Sequence, residues 1–167
     1  MRQETVTHVP AGRRRVELVV ILGLLTAFAP LSIDMYLPAF PTLTLALATD
    51  EATVQLSLAA FFIAFAAGQI LFGPLSDRYG RRAPLFFSLI LFSAASIGCA
   101  MADSIDALIT YRAAQGLGAC AGGVIARAVV RDLFERNEAA RIFSALILVM
   151  GAAPMFAPLL GGKLLIW

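Results

Sequence analysis

The sequence predicts an all-α membrane protein, and three observations carry the prediction. Of 167 residues, 60% are hydrophobic and only 14% are charged, with a mean hydropathy of +0.85. A soluble domain averages about 45–50% apolar and about 25% charged. The apolar residues fall in five stretches of the length that crosses a hydrocarbon core of about 30 Å as a helix. Arginine is concentrated in alternate connections between them. The net charge of +2 gives no footing to nucleic-acid binding, and none is expected.

The five expected spans are 17–38, 52–72, 84–102, 106–130 and 142–166, preceded by a polar tail at 1–16. Short connections make successive helices antiparallel neighbours. The first span follows Arg13, Arg14 and Arg15, and Ala46 and Ala48 offer an A-x-A, as a cleaved signal would. The apolar run exceeds the roughly 7–15 residues of a signal core and the small-residue site lies far beyond it, so a retained helix is expected. Cys99 and Cys120 sit in apolar segments and read as small buried hydrophobes. His8 lies in the tail without ligand-like neighbours. Neither a metal site nor a catalytic grouping is expected, and the protein does not read as an enzyme.

Orientation follows from the arginines. The tail holds Arg2, Arg13, Arg14 and Arg15, the second connection Arg78, Arg81 and Arg82, and the fourth Arg131, Arg136 and Arg141. The first connection has Asp50 and Glu51, and the third Asp103, with no Lys or Arg in either. Basic connections stay in the cytoplasm, which puts the N-terminus inside and Trp167 near the outer face.

Two charges fall well within spans. No charge occurs from Leu18 to Ile33, and then Asp34 appears in LSIDMYLPAF. Arg112 lies in the fourth span. Charges at membrane depth are costly and face a bundle interior or a watery cavity. At 1.5 Å per residue, Asp34 sits about 25 Å up from the inner face and Arg112 about 9 Å down from the outer one, both in the outer half. They are placed to stabilise one another, or to receive a cationic substrate or a proton. Snorkelling to the outer interface is the alternative, more open to Arg112 than to the shorter Asp34. Arg127, near the inner end of its span, reads as interfacial.

Small residues mark close packing. Ala60, Ala64 and Gly68 recur at four-residue intervals, and GLGACAGG sets Gly118 and Gly122 in a G-x-x-x-G beside Ala119 and Gly123. The fifth span carries Pro154 and Pro158 next to a stripe of Ala153, Ala157 and Gly161, so a bent, tightly packed helix is expected. Between the second and third spans, GPLSDRYGRRAPL groups Asp77 with three arginines and Gly80. A carboxylate near a helix C-terminus opposes the helix dipole, so Asp77 needs a cationic partner.

These stretches resemble the major facilitator superfamily. Gly73–Leu85 is similar to its loop signature, G-x-L-A-D-r-x-G-r-k, with Gly73, Asp77, Arg78, Gly80 and Arg81 in place, Ser76 for the usual Ala and Arg82 for the usual Lys. YRAAQGLGA resembles its fourth-helix motif at Arg112, Gln115, Gly116 and Gly118. APMFAPLLGG resembles its fifth-helix antiporter motif. Pro158, Gly161 and Gly162 match there, while Ala153 and Ala157 replace glycines beside Pro154. IDMYLPAFP and VVRDLF, the latter with Asp132, resemble the Bcr/CflA drug-resistance branch of twelve-span drug:proton antiporters.

The resemblance implies a bacterial inner-membrane exporter of small drugs, driven by proton entry through alternating access. Asp34 would carry proton or cationic-substrate coupling and Arg112 would tune it. Asp77, Arg78, Arg81, Arg82 and Asp132 would form a cytoplasmic latch. The proton is the coupling ion, and no other cofactor is implied. Members of the family are built from two six-helix halves. Five spans therefore imply an incomplete N-terminal half, with the C-terminal half as a missing partner and no transport by these residues alone. A half-transporter acting as an oligomer and a non-transporting membrane scaffold are the alternatives.

Overall fold

A computed structural model describes residues 13–164, in which helices and their connections account for the fold and no strand occurs. The tail up to residue 12 and Trp167 lie outside the described residues. Helix α1 spans Arg13–Asp34, a 3₁₀ turn Leu37–Ala39 leads into the short α2, Phe40–Ala46, and α3 spans Glu51–Tyr79. Then come α4, Arg82–Ala100, α5, Ile105–Leu133, and α6, Arg136–Leu164. Five helical segments are long and apolar enough to cross a membrane, counting α1 to α2 as one.

Local chemistry sets the starts of α3 and α5. The Asp50 carboxylate accepts from the Thr53 N–H at 2.6 Å and caps α3. Ser104 caps α5 by accepting from the Ala107 N–H at 3.3 Å. Glu51 and Asp106 in the first turns suit the positive end of each helix. At the other end of α3, Gly80 adopts φ +80° and ψ 164°, a conformation essentially reserved for glycine, and reverses the chain into α4.

The helices outrun the apolar stretches. Helix α3 continues past Phe72 through Pro74 to Tyr79, and α6 begins at Arg136 rather than near Ile142. An apolar run measures what must sit in hydrocarbon, whereas a helix ends where its hydrogen bonds end. Charged turns in the interface remain helical. The first span differs in kind. Its helix stops at Asp34, and Pro38 and Pro41 stand in the first positions of the 3₁₀ turn and of α2, where a missing N–H costs nothing.

Helix α5 is the axis of the bundle. In its apolar window 61% of residues are buried, against 17–33% in the other spans. The stretch GLGACAGG explains how. A Cβ on Gly116 would strike the Phe61 carbonyl of α3, one on Gly118 the backbone of Phe92 in α4, and one on Gly122 the Leu25 carbonyl of α1. The two glycines of the G-x-x-x-G therefore serve different neighbours. Gly68 of α3 fits against Cys120. Both cysteines are free thiols, Cys120 buried and Cys99 half-buried. Large apolar side chains such as Ile63, Ile70, Ile90, Ile147 and Leu159 point outward, as a lipid-facing surface requires.

Helix α6 packs on α1. Ala153, Ala157 and Gly161 are buried, and the helix runs unbroken through Pro154 and Pro158. A Cβ on Gly161 would meet the Met35 carbonyl just past the end of α1. Gly162 and Gly73 face open space.

Candidate functional site

Arg112 is 3% exposed, so its charge has left water entirely. Its Nη1 donates to the Gln115 Oε1 at 2.6 Å and to the Ser32 carbonyl at 3.3 Å. The guanidinium carbon lies 4.1 Å from the Tyr36 ring centroid and 4.7 Å from that of Phe61. Cations over aromatic faces gain about 2 kcal/mol when desolvated. Gln115 Nε2 donates onward to Ser96 Oγ at 2.8 Å. Ser57 Oγ donates to the Val54 carbonyl at 2.6 Å, which leaves Tyr36 OH to donate to Ser57 Oγ at 2.7 Å. The cage thus ties the end of α1 to α3, α4 and α5.

The opposing charges expected to sit together do not pair: among the described residues no ion pair joins Asp34 to Arg112. Asp34 ends α1, half-buried. The physical reason is local. Where α1 stops, the Tyr36 N–H bonds Ile33 rather than continuing the helical pattern to Ser32. The Ser32 carbonyl is left to accept from Arg112, and the negative end of the α1 dipole takes the place of a carboxylate. Two donors of the guanidinium, Nε and Nη2, are buried without a partner. Such an atom costs about 1–3 kcal/mol.

The second cluster gathers around Arg81. Its Nη1 donates to the Asp77 Oδ1 at 2.6 Å and to Ser76 Oγ at 2.7 Å. Its Nη2 and Nε donate to the Asp132 Oδ2 at 2.9 and 3.1 Å. Asp77 has the cationic partner its place on α3 demands. Burial pulls the Arg81 guanidinium downward in pKa, and the hydrogen bonds to Asp132 and Asp77 more than reverse this, leaving it raised. Ser76 takes part in the cluster although it departs from the family motif: it is buried and donates to the Gly73 carbonyl. Arg78 lies over the Tyr79 ring and Arg82 is exposed, so neither joins Asp77.

A second ion pair, Arg15 to Glu138 at 3.1 Å, joins the start of α1 to the start of α6. With Arg81–Asp132 it brings the basic connections to one end of the bundle. Of the Arg112 cage, Tyr36 falls in the IDMYLPAFP stretch without a role assigned to it, and Phe61, Ser57 and Ser96 carried no signal in the sequence. Their spacing is that of any apolar helix.

Residues 22–167 match the profile of the Major Facilitator Superfamily. An MFS-type transporter of Bacillus subtilis, itself uncharacterised, is 43% identical over 95% of this chain and 40% of its own length. A chloramphenicol resistance protein of Pseudomonas aeruginosa is 39% identical over 89% of this chain and 36% of its own. A bicyclomycin resistance protein homolog of Haemophilus influenzae is 31% identical over 86% and 36%. The chain therefore spans about 40% of the length of the relatives it matches.

Proposed function

The chain belongs to the major facilitator superfamily, and from that membership we propose that it forms the N-terminal part of a proton-coupled exporter of small drugs. The exporter works by alternating access in a bacterial inner membrane, with the N-terminus in the cytoplasm. The C-terminal remainder of a longer transporter supplies the opposite wall of the central cavity. The reading is transport rather than catalysis. It agrees with the resistance functions named for the relatives in Pseudomonas and Haemophilus.

One observation carries the proposal: a fully buried guanidinium with two unpaired donors, held by the residues on either side of Asp34. Ser32 and Tyr36 both touch Arg112, so the end of α1 cannot shift without changing the field at that carboxylate. Asp34 carries the coupling proton and Arg112 sets how readily it is released. Arg81, Asp77 and Asp132 latch the inner ends of α3 and α5 in one conformation, while Arg78 and Arg82 are left to the second half. Pro154, Ala157, Pro158, Gly161 and Gly162 form the face of α6 that moves with the end of α1.

Joining the chain to the C-terminal remainder of its Bacillus relative and measuring export in vesicles with an imposed pH gradient tests the reading. Asp34→Asn is expected to abolish gradient-driven export with membrane insertion intact, whereas Asp50→Asn and Asp103→Asn leave it unchanged. Full export by Asp34→Asn would overturn the role of this carboxylate.

A further inference from the structure

At the end of the bundle opposite Arg112, α3, α5 and α6 surround an open cavity of about 780 Å³. That volume lies within the range of small-molecule sites, about 300–1,000 Å³. Arg127 and Arg131 of α5 and Arg136 of α6 line it, over apolar surface from Ala128, Phe134 and Phe143. The charge balance around it is uneven. Asp77 and Arg81 also line it, and since Arg81 engages both Asp77 and Asp132, that trio keeps one net negative charge against the three arginines; Glu138 is engaged by Arg15. Glu135 is exposed and does not line the cavity. Among the described residues Arg127, Arg131 and Arg136 form no ion pair. Arg127 and Arg131 are four residues apart on one helix, where like charges repel. Three guanidinium groups around an apolar wall make an environment that attracts anions and repels cations. Positive charge that served only to orient the helices would not need to converge on a cavity.

We propose that this cavity binds a small amphipathic anion from the cytoplasm. A carboxylate, sulfonate or phosphate head would sit among Arg127, Arg131 and Arg136, with an aromatic or apolar body against Phe134 and Phe143. The inference rests on the transporter reading and its orientation, and it names the substrate class that the inner vestibule admits.

Isothermal titration of the chain in phosphatidylcholine nanodiscs, with naphthalene-2-sulfonate and its cationic counterpart 2-naphthyltrimethylammonium, tests it. Saturable binding of the sulfonate is expected, with the ammonium at least about tenfold weaker. Arg127→Gln with Arg131→Gln should weaken the sulfonate at least about tenfold, since two charge-assisted hydrogen bonds are lost. Arg14→Gln with Arg141→Gln removes the same charge outside the cavity and should leave binding unchanged. If the double Gln variant does not fold, wild type decides through the contrast between the two probes, and Arg127→Lys with Arg131→Lys should keep the preference for the sulfonate.

Equal binding of both probes, or equal loss in the Arg14/Arg141 variant, overturns the proposal. Phosphatidylglycerol in the nanodisc separates the sources of the anion. A decrease of about threefold is expected from its surface potential alone, whereas complete displacement assigns the cavity to a lipid headgroup and overturns it. Binding is read without transport, so failure here leaves the Asp34 export test standing, and the reverse.

Discussion

Arg112 and Arg81 are the same side chain in two solvents. Arg81 sits at one end of the bundle with its side chain 25% exposed, and two carboxylates meet it. Arg112 is buried toward the opposite end and no carboxylate meets it; a carbonyl, an amide and two aromatic faces do. Where water reaches, the formal ion pair is cheap to assemble and worth little, about 0–1 kcal/mol. Where water is excluded, a second full charge would have to be stripped of its own hydration, a cost of several kcal/mol per ion. The buried site instead compensates its cation with dipoles and π-faces. It leaves part of the guanidinium unsatisfied, whereas each Arg81 nitrogen has a partner. The half-exposed cluster can therefore open and close at little cost, whereas the buried cage cannot lose a partner cheaply.

Breaking the cage at Phe61 should produce the largest effect. Phe61 is fully buried, stacks on Phe65 and forms one wall over Arg112. Phe61→Ala should cost about 3 kcal/mol through the cavity it leaves and the lost cation–π face. Thermal unfolding in detergent micelles measures this, and a loss below about 1 kcal/mol would mean that the cage contributes little to holding the helices. Breaking the Arg81 cluster is milder. Arg81→Gln should cost under about 1 kcal/mol, because both carboxylates it releases are accessible to water, and the difference from wild type should shrink in high salt.

The smallest effect sharpens the contrast with a charge that is wholly solvated. The hydrogen bonds from Thr53 hold the Asp50 carboxyl below the ordinary carboxylate range. A group whose pKa is depressed by folding contributes stability above its unfolded value, near 4, and that contribution is lost as pH falls through the lower folded value. Stability should therefore show a slight acid-side decrease below about pH 4 that Asp50→Ala removes. Unfolding followed across pH 2–6 for both proteins compares the two slopes. Identical slopes would mean that the cap does not titrate with folding.

Much of the fold was legible because it depends on solvent and on neighbours in sequence. Each apolar stretch answers to hydrocarbon by itself, and each arginine-rich connection to one side of a membrane. Asp50 and Ser104 cap their helices through residues three positions away, and Pro38 and Pro41 stand where the first span breaks; these determinants are as local, but the expected span of 17–38 passed over the break. The need of Asp77 for a cation was equally local, since Arg81 stands four residues beyond it, just past the Gly80 reversal. The matched motifs brought Arg112, Gln115 and Gly116 forward as a group, and Gln115 does bond Arg112.

The partners across helices had to come from the tertiary structure. Estimated depth put Asp34 and Arg112 at one height, but whether two side chains meet also depends on how each helix is turned about its axis. One residue of rotation is about 100°. It was the break at Asp34 that swung Tyr36 over the guanidinium and freed the Ser32 carbonyl beneath it. Likewise Gly116, Gly118 and Gly122 announced close approach, and only packing assigned them to α3, α4 and α1. The convergence of Arg127, Arg131 and Arg136 on one cavity has the same origin. Sequence spacing specifies a face of a single helix, whereas a site between helices is specified by rotation and register, which all the contacts of the bundle decide together.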